Sequence, residues 1–265
     1  MKGSAPAVIA AAFQELKSRA EPRWQELEDT TRSVILVGAA TCGRAAGARE
    51  VLQALRNEVK KRNLDCPVIE VGCLGHCYAE PLVIIRKPGY PAICYGRVNT
   101  VIAEKLVRDF VLGDDPCYEF ILGALEENDL IPSFTDFPRA GYEKKLILKN
   151  CGHIDPEQID HYVGNGGYAA LTKALQMEPV GIIEQVNKSG LRGRGGAGFP
   201  TGQKWQICRG APGRLKYLIC NADEGDPGAF MDRAILESDP HSVLEGMIIA
   251  AYAIGARQGY IYVRA

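Results

Sequence analysis

Apolar positions along the chain follow two periods. Val34-Ile35-Leu36-Val37 and Val68-Ile69-Glu70-Val71 are short, β-branched runs of strand length. Between them Val51, Leu52, Leu55 and Val59 recur at helical spacing and predict a helix over 48–63. Residues 81–86 and 92–97 flank the turn Lys87-Pro88-Gly89 and read as an antiparallel strand pair, closed by a helix over 100–112. Upstream, residues 5–30 predict helix interrupted at Pro22, with Trp24 and Leu27 docking on the body behind it. Downstream, the pattern predicts a helix over 118–127, a strand over 146–149 and helices from Asp155-Pro156 to Tyr162 and over 169–177 and 180–189. Then come a strand at 217–220, helices at 230–236 and 239–254, and a strand at 260–263. The helix carrying Val243, Leu244, Met247, Ile248 and Ala251 would join the last two strands in a right-handed parallel crossover. The whole is an α/β chain, divided into an N-terminal helical segment (1–32), a β-α-β-β-β-α unit (33–113), a structured linker (114–144) punctuated by Asp115-Pro116, Ile131-Pro132 and Phe137-Pro138, and a second α/β region (145–265).

Composition narrows the functional classes. With 265 residues, 46% hydrophobic and 24% charged, the chain is long enough for two packed domains. A net charge of −1 gives no reason to expect nucleic acid or an anionic membrane surface. No apolar run reaches the length of a transmembrane helix, and the short apolar stretch at 5–13 continues directly into charged helix. Nine cysteines in such a chain point to thiols or metal ligands, and to the cytoplasm. His153 and His161 have no partner at ligand spacing, so surface or capping roles are expected of them.

The densest chemistry lies at Gly190-Leu191-Arg192-Gly193-Arg194-Gly195-Gly196-Ala197-Gly198-Phe199-Pro200-Thr201-Gly202-Gln203-Lys204-Trp205. Six glycines in these sixteen residues let backbone N–H groups approach an anion, and Arg192, Arg194 and Lys204 add positive charge. A phosphate-bearing cofactor suits such a loop. It is no Walker A loop, because Gln203 separates Gly202 from Lys204 and Trp205 follows. Gly193, Gly195 and Gly198 have dinucleotide-fingerprint spacing, but a helix closed by Gly190 precedes them where that motif needs a strand. A flexible linker is disfavoured by Phe199, Pro200 and Trp205. The strand at 217–220 then runs into Asn221-Ala222-Asp223-Glu224-Gly225-Asp226-Pro227-Gly228. Acids at a strand's C-terminal edge sit where α/β proteins bind ligands and can accept from ribityl or ribose hydroxyls. The alternative is an acidic turn in which Asp223 or Asp226 caps the next helix.

These two motifs together, the second continuing Ala229-Phe230-Met231, closely resemble the NADH-binding flavoprotein subunit of respiratory complex I. Relatives of that subunit serve NAD-reducing hydrogenases, formate dehydrogenases and electron-bifurcating complexes. The resemblance covers 145–265 and implies a Rossmann-like FMN- and NADH-binding domain. It implies hydride transfer between NAD(H) and FMN and onward one-electron transfer to the iron–sulfur subunits of a larger complex. By motif position Gly193, Arg194, Gly195, Gly196 and Lys204 would hold the FMN phosphate and ribityl chain. Asn221, Asp223 and Glu224 would line the flavin's polar edge, Phe199 would stack on the NADH adenine, and Asp226 would meet the nicotinamide ribose. Ile207 stands where family members often place a second aromatic ring. The family's domain continues past the point reached at Ala265, with a further flavin-contacting loop and a [4Fe-4S] cysteine motif. This chain alone is therefore expected to be inactive as an NADH dehydrogenase, its flavin domain incomplete at the C-terminus.

The unit at 33–113, with cysteine loops after its first two strands, resembles the thioredoxin-like [2Fe-2S] ferredoxin domain of complex I-type enzymes. Cys42, Cys73 and Cys77 stand in register with that domain's ligands. The fourth, five residues before Cys42, is replaced by Val37. Cys66 and Cys94 lie away from the loops, whereas Thr41 or His76 could be imagined as a fourth ligand. Two readings stay open: a [2Fe-2S] cluster, or a degenerate domain kept for packing with inert thiols. A corresponding alternative for the whole chain is a non-catalytic scaffold.

Overall fold

The computed structural model describes residues 5–136, 142 and 144–264. It separates into two compact units. One comprises Arg23–His161 together with Ala234–Asp239; the other comprises Tyr162–Arg233 and the described parts of Met1–Pro22 and Pro240–Ala265.

The chain opens with helix α1 (Ala5–Glu28), which continues through Pro22, where the sequence predicts a break. The rest of the helix is rich in Ala, Leu, Glu, Gln and Arg, strong helix formers that tolerate the loss of one backbone bond. In the first unit β1 (Val34–Gly38) is followed by the short helix α2 (Thr41–Ala45), then α3 (Ala48–Lys61) and β2 (Val68–Val71). Next come β3 (Val83–Arg86), β4 (Ile93–Tyr95), α4 (Thr100–Lys105) and β5 (Ile121–Ala124). The predicted loop around Cys42 is thus partly helical. The strands form one sheet in the order β2-β1-β3-β4-β5. β1 and β2 are parallel, with Leu36 opposite Ile69. The β1–β3 and β3–β4 pairs are antiparallel, with Ile84 opposite both Leu36 and Cys94. A parallel helix-linked pair extended by an antiparallel hairpin on the first strand's other edge is a thioredoxin-like core.

The central strands are buried on both faces, and alternate residues share one core. Ile35, Val37, Val83 and Ile85 point into one cluster with Val51, Leu52, Leu55 and Val59 of α3 and Leu106, Val107 and Phe110 beyond α4. Each fully buried aliphatic there contributes about 1.5–3 kcal/mol. Tyr95 is fully buried yet satisfied, its hydroxyl donating to the Pro116 carbonyl at 2.8 Å. The helix at 100–112 changes after Lys105 to a wider π-type turn over Leu106–Val111.

Two expectations fail in this unit. The segment predicted as helix over 118–127 instead makes a single 3-10 turn at Tyr118–Phe120 and then β5, whose Gly123 lies opposite Cys94. Pairing with an open sheet edge outweighs the local helix preference of Ala124-Leu125-Glu126-Glu127. Leu146-Ile147-Leu148-Lys149 is turn, not strand, with Leu146 and Ile147 exposed, because no strand lies beside it to pair with. The predicted linker's Phe137-Pro138-Arg139 lies outside the described residues.

Past α5 (Ile159–Gly164) the second unit holds α6 (Ala169–Ala174), α7 (Pro179–Ser189), α8 (Thr201–Gly210) and β6 (Tyr217–Ala222). After α9 (Met231–Ser238) come α10 (Pro240–Ile254) and β7 (Gln258–Val263). β6 and β7 pair in parallel, Ile219 opposite Tyr260, as the predicted crossover requires. Ala174, Ile182, Ile183 and Ala253 form the core, with Trp205 and Tyr252 packed against them. Glu245 of α10 is buried and fully engaged: it accepts from the Tyr162 hydroxyl (2.5 Å) and from the N–H groups of Tyr168 (2.9 Å) and Leu171 (2.8 Å). It thereby fixes the start of α6. Among the described residues no helix is long and apolar enough to cross a membrane.

Candidate functional sites

The glycine loop leaves α7 through Gly190, left-handed at φ 70° as helix C-termini favour. The loop closes on itself. Gly193 N–H donates to the Phe199 carbonyl at 2.8 Å and Thr201 N–H to that of Leu191 at 2.9 Å, so the strand-like ends at Arg192 and Pro200 pair antiparallel. Its tip, with Gly193, Arg194, Gly195 and Gly196, is exposed, as are Phe199 and Lys204. The glycines differ in what they are for. A Cβ at Gly202 would lie 2.4 Å from the Asn187 side chain, so this residue lets α8 approach α7. A Cβ at Gly195 or Gly196 would meet nothing within 4 Å. Nothing in this unit requires Gly195 to lack a side chain, which leaves its backbone N–H open to a ligand. Among the described residues Arg194 and Lys204 make no ion pair within the chain, while Arg192 is spent on the Gly198 carbonyl at 3.1 Å. The loop opens α8, so a helix follows it as well as precedes it.

At the end of β6 the Asn221 side chain accepts from Asp223 N–H at 3.0 Å, turning the chain back. Capping of the next helix falls to Glu224 rather than to Asp223 or Asp226. Its carboxylate accepts from Asp232 N–H (2.7 Å) and Arg233 N–H (3.0 Å). Burial opposes its charge, but the N–H groups of Arg233, Asp232 and Met231 outweigh this and hold its carboxyl below the ordinary value. Asp223 and Asp226 remain exposed to solvent.

The thioredoxin-like unit brings the three predicted thiols together. Cys42 stands in α2, Cys73 follows β2, and Cys77 begins a 3-10 turn. Cys73 Sγ is 3.6 Å from Cys42 Sγ and 3.5 Å from Cys77 Sγ, and accepts from Gly75 N–H at 3.3 Å. Burial pushes the Cys73 thiol up to about 11, and burial with the neighbouring Cys73 raises Cys42 further. A metal would have to displace these protons. Cys66 and Cys94 are buried elsewhere and do not join the group.

The loops are held by residues that sequence spacing does not single out. Ser238, fully buried, accepts from Cys73 N–H at 3.0 Å, and its atoms occupy the space a Cβ at Gly72 would need, 2.2 Å away. Glu237 takes both the Thr41 N–H, at 2.9 Å, and the Thr41 hydroxyl. Thr41 is thus occupied as a loop anchor rather than a ligand. His76 stacks flat on Phe134 at 4.7 Å. Glu80, to which no motif points, is buried, its Oε1 3.6 Å from Cys42 Sγ and its Oε2 accepting from Leu82 N–H at 2.8 Å. A second group, Asp109, Asp115 and Cys117, is already balanced. Hydrogen bonds from Arg108 and Lys105 hold Asp109 down to about 2.

Known proteins resemble both regions of the sequence. The family model described as the Nuo51 FMN-binding domain matches residues 186–265. The NAD-reducing hydrogenase HoxS subunit alpha of Cupriavidus necator is 55% identical over 206 residues, 74% of this chain and 30% of its own. The NADP-reducing hydrogenase subunit HndC of Solidesulfovibrio fructosivorans is 58% identical over 121 residues, 46% of this chain and 24% of its own. An NADH-quinone oxidoreductase subunit of Aquifex aeolicus is 53% identical over 134 residues, 50% and 31% of the two chains. The chain resembles subunits of NADH-quinone oxidoreductases and NAD(P)-reducing hydrogenases, and spans about a quarter to a third of the length of these three relatives.

Proposed function

We propose that this chain belongs to an NADH-binding flavoprotein subunit of a multisubunit oxidoreductase, working beside iron–sulfur subunits. The observation that carries the reading is the glycine tip. Gly195 and Gly196 present backbone with open space where a Cβ would be, next to exposed Arg194 and Lys204. Gly195 and Gly196 would donate N–H groups to the FMN phosphate, Gly193, whose N–H closes the loop on Phe199, would let the ligand approach the tip, and Arg194 and Lys204 would neutralise the charge. Asn221, Asp223 and Glu224 would take the flavin's polar edge and ribityl hydroxyls, with Glu224 held in place by its hydrogen bonds to α9. Phe199, exposed beside the tip, would offer a ring face to the NADH adenine, and Asp226 would receive ribose hydroxyls. When bound, the flavin supplies the conversion between two-electron hydride chemistry and one-electron transfer. The protein supplies position and charge.

In the thioredoxin-like unit Cys42, Cys73 and Cys77 would give three thiolates to a [2Fe-2S] cluster. Their close approach in two loops favours this over inert packing, which would not need three thiols face to face. All nine cysteines are free, in keeping with a reducing cytoplasmic setting.

The test is flavin retention. Lys204→Ala should weaken FMN binding by about 1.5–3 kcal/mol, the worth of a charge-assisted bond, measured by flavin fluorescence on titration. Unchanged affinity would remove Lys204 from the phosphate site. The exposure of the whole tip also implies weak flavin binding and negligible NADH:ferricyanide activity for residues 1–265 alone, since tight cofactor sites bury most of their ligand. Robust turnover by that chain would mean a pocket built differently.

A further inference from the structure

The position that lacks its cysteine is not empty of a donor. Counting back from Cys42 places the missing ligand at Val37, but Val37 faces the core with Ile35 and Val83, away from the thiols. Its neighbour Gly38 points to the sheet's other face. A Cβ built at Gly38 lies 3.4 Å from both carboxylate oxygens of Glu80 and 3.5 Å from Leu74. The Glu80 carboxylate therefore fills the space that a side chain at position 38 would occupy. It arrives from the opposite direction, from the approach to β3, and stops 3.6 Å from Cys42 Sγ.

We propose that Glu80 is the fourth donor of the thiol site, its carboxylate replacing the missing thiolate beside Cys42 in a three-cysteine, one-glutamate [2Fe-2S] centre. The inference rests on the cluster reading given above. Two irons take two protein ligands each. The four groups form a contiguous chain, Glu80 to Cys42 at 3.6 Å, Cys42 to Cys73 at 3.6 Å and Cys73 to Cys77 at 3.5 Å, which two irons could divide as Cys42 with Glu80 and Cys73 with Cys77. Glu80 is suited to the part in other ways. Its carboxyl is buried with Oε1 set against the Cys42 thiol, so an oxygen donor already stands beside the thiol group. Oε2 is fixed by Leu82 N–H at 2.8 Å, a partner that orients the group while Oε1 faces Cys42. Gly38 leaves this face open, and a Cβ there would only touch the two oxygens, at 3.4 Å.

The experiment uses the full chain, reconstituted anaerobically with ferrous iron and sulfide. Iron X-ray absorption of the wild-type centre should show one oxygen scatterer beside the sulfur shell, a readout that needs no variant. Glu80→Gln keeps the shape and removes the anion, and should lose iron to a chelator at least about tenfold faster, the lower end of what even indirect metal partners supply. The double variant Gly38→Cys/Glu80→Ala should restore retention, with stronger sulfur-to-iron charge-transfer absorption from an all-thiolate centre. A cluster with an all-sulfur shell, or one whose retention and spectrum are unchanged in Glu80→Gln, would overturn the Glu80 assignment and leave the cluster reading standing. Failure of wild type to take up iron, or stoichiometric zinc in its place, would overturn both.

Discussion

Strands β1 and β7 look alike as sequence and stand in opposite environments. Val34-Ile35-Leu36-Val37-Gly38 is buried at every position, whereas Gln258 to Val263 is exposed at every position although it contains Tyr260, Ile261, Tyr262 and Val263. An apolar run thus predicts that a strand forms and does not predict what covers it. β1 lies inside a five-stranded sheet with helix α3 packed across one face. β7 has one partner strand, and the two-stranded sheet presents Tyr217, Ile219 and Tyr260 to solvent. The first strand is part of a finished core, while the second is held mainly by its backbone pairing with β6, with the Tyr217 and Tyr260 rings side by side.

The contrast breaks most readily by truncation. Ile35→Ala should cost about 2–5 kcal/mol in denaturant unfolding of the thioredoxin-like unit, the range for a fully buried aliphatic. Ile261→Ala, on the exposed strand, should stay within about 0.5 kcal/mol. Equal costs would mean that β7 is covered in solution.

Glycines sharpen the comparison at smaller amplitude. Gly72→Ala drives a methyl into Ser238 and should destabilise the unit by about 1–3 kcal/mol, seen as a shifted unfolding midpoint. Gly195→Ala meets open space, so its effect on stability should be within about 0.5 kcal/mol. Any loss of FMN affinity in that variant would then report the ligand's approach and not the fold.

The smallest effect is a difference in pH response. The folded Cys73 thiol holds its proton to about 11, against 9.0 for an ordinary thiol. The stability this contributes is fully present below 9.0 and is lost as pH rises through about 11. Metal-free chain should weaken over that window in the unit that contains Trp24, followed with Trp205→Phe, and Cys73→Ser should remove part of the decline, the rest belonging to the other thiols that burial raises there, Cys42, Cys66 and Cys94. A decline seen equally through Trp205, with Trp24→Phe, would assign the titration elsewhere.

Much of this is legible from the chain. The β-branched runs predict β1 to β4, and the spacing of Val51, Leu55 and Val59 predicts α3, because periodicity reports directly on which face is buried. The glycine loop and acidic loop stand out because their composition is too unusual for packing alone. What stays hidden depends on distant partners. Ile121 to Ala124 becomes a strand only by lying beside β4, and Leu146 to Lys149 fails to become one for want of a neighbour. Ser238 and Glu237 lie on a helix far along the chain, and no local spacing links them to Cys73 or Thr41. Counting back from Cys42 lands on Val37, one residue beyond Gly38, whose Cβ position meets Glu80, and in a strand one residue is the difference between the two faces of the sheet.

That distance between partners has a consequence for how the molecule is made. Cys73 and the Ser238 hydroxyl that receives its N–H are 165 positions apart. At the usual 5–20 residues per second of synthesis, about 8–30 s separate the appearance of the two. Through that interval the sheet can already form from β1 to β5, since all its strands precede residue 125. The loops bearing Cys42 and Cys73, however, still lack the anchors that Glu237 and Ser238 later provide. A nascent chain therefore carries a folded scaffold with its thiol loops unlatched, and latching waits until Glu237 and Ser238 have been made.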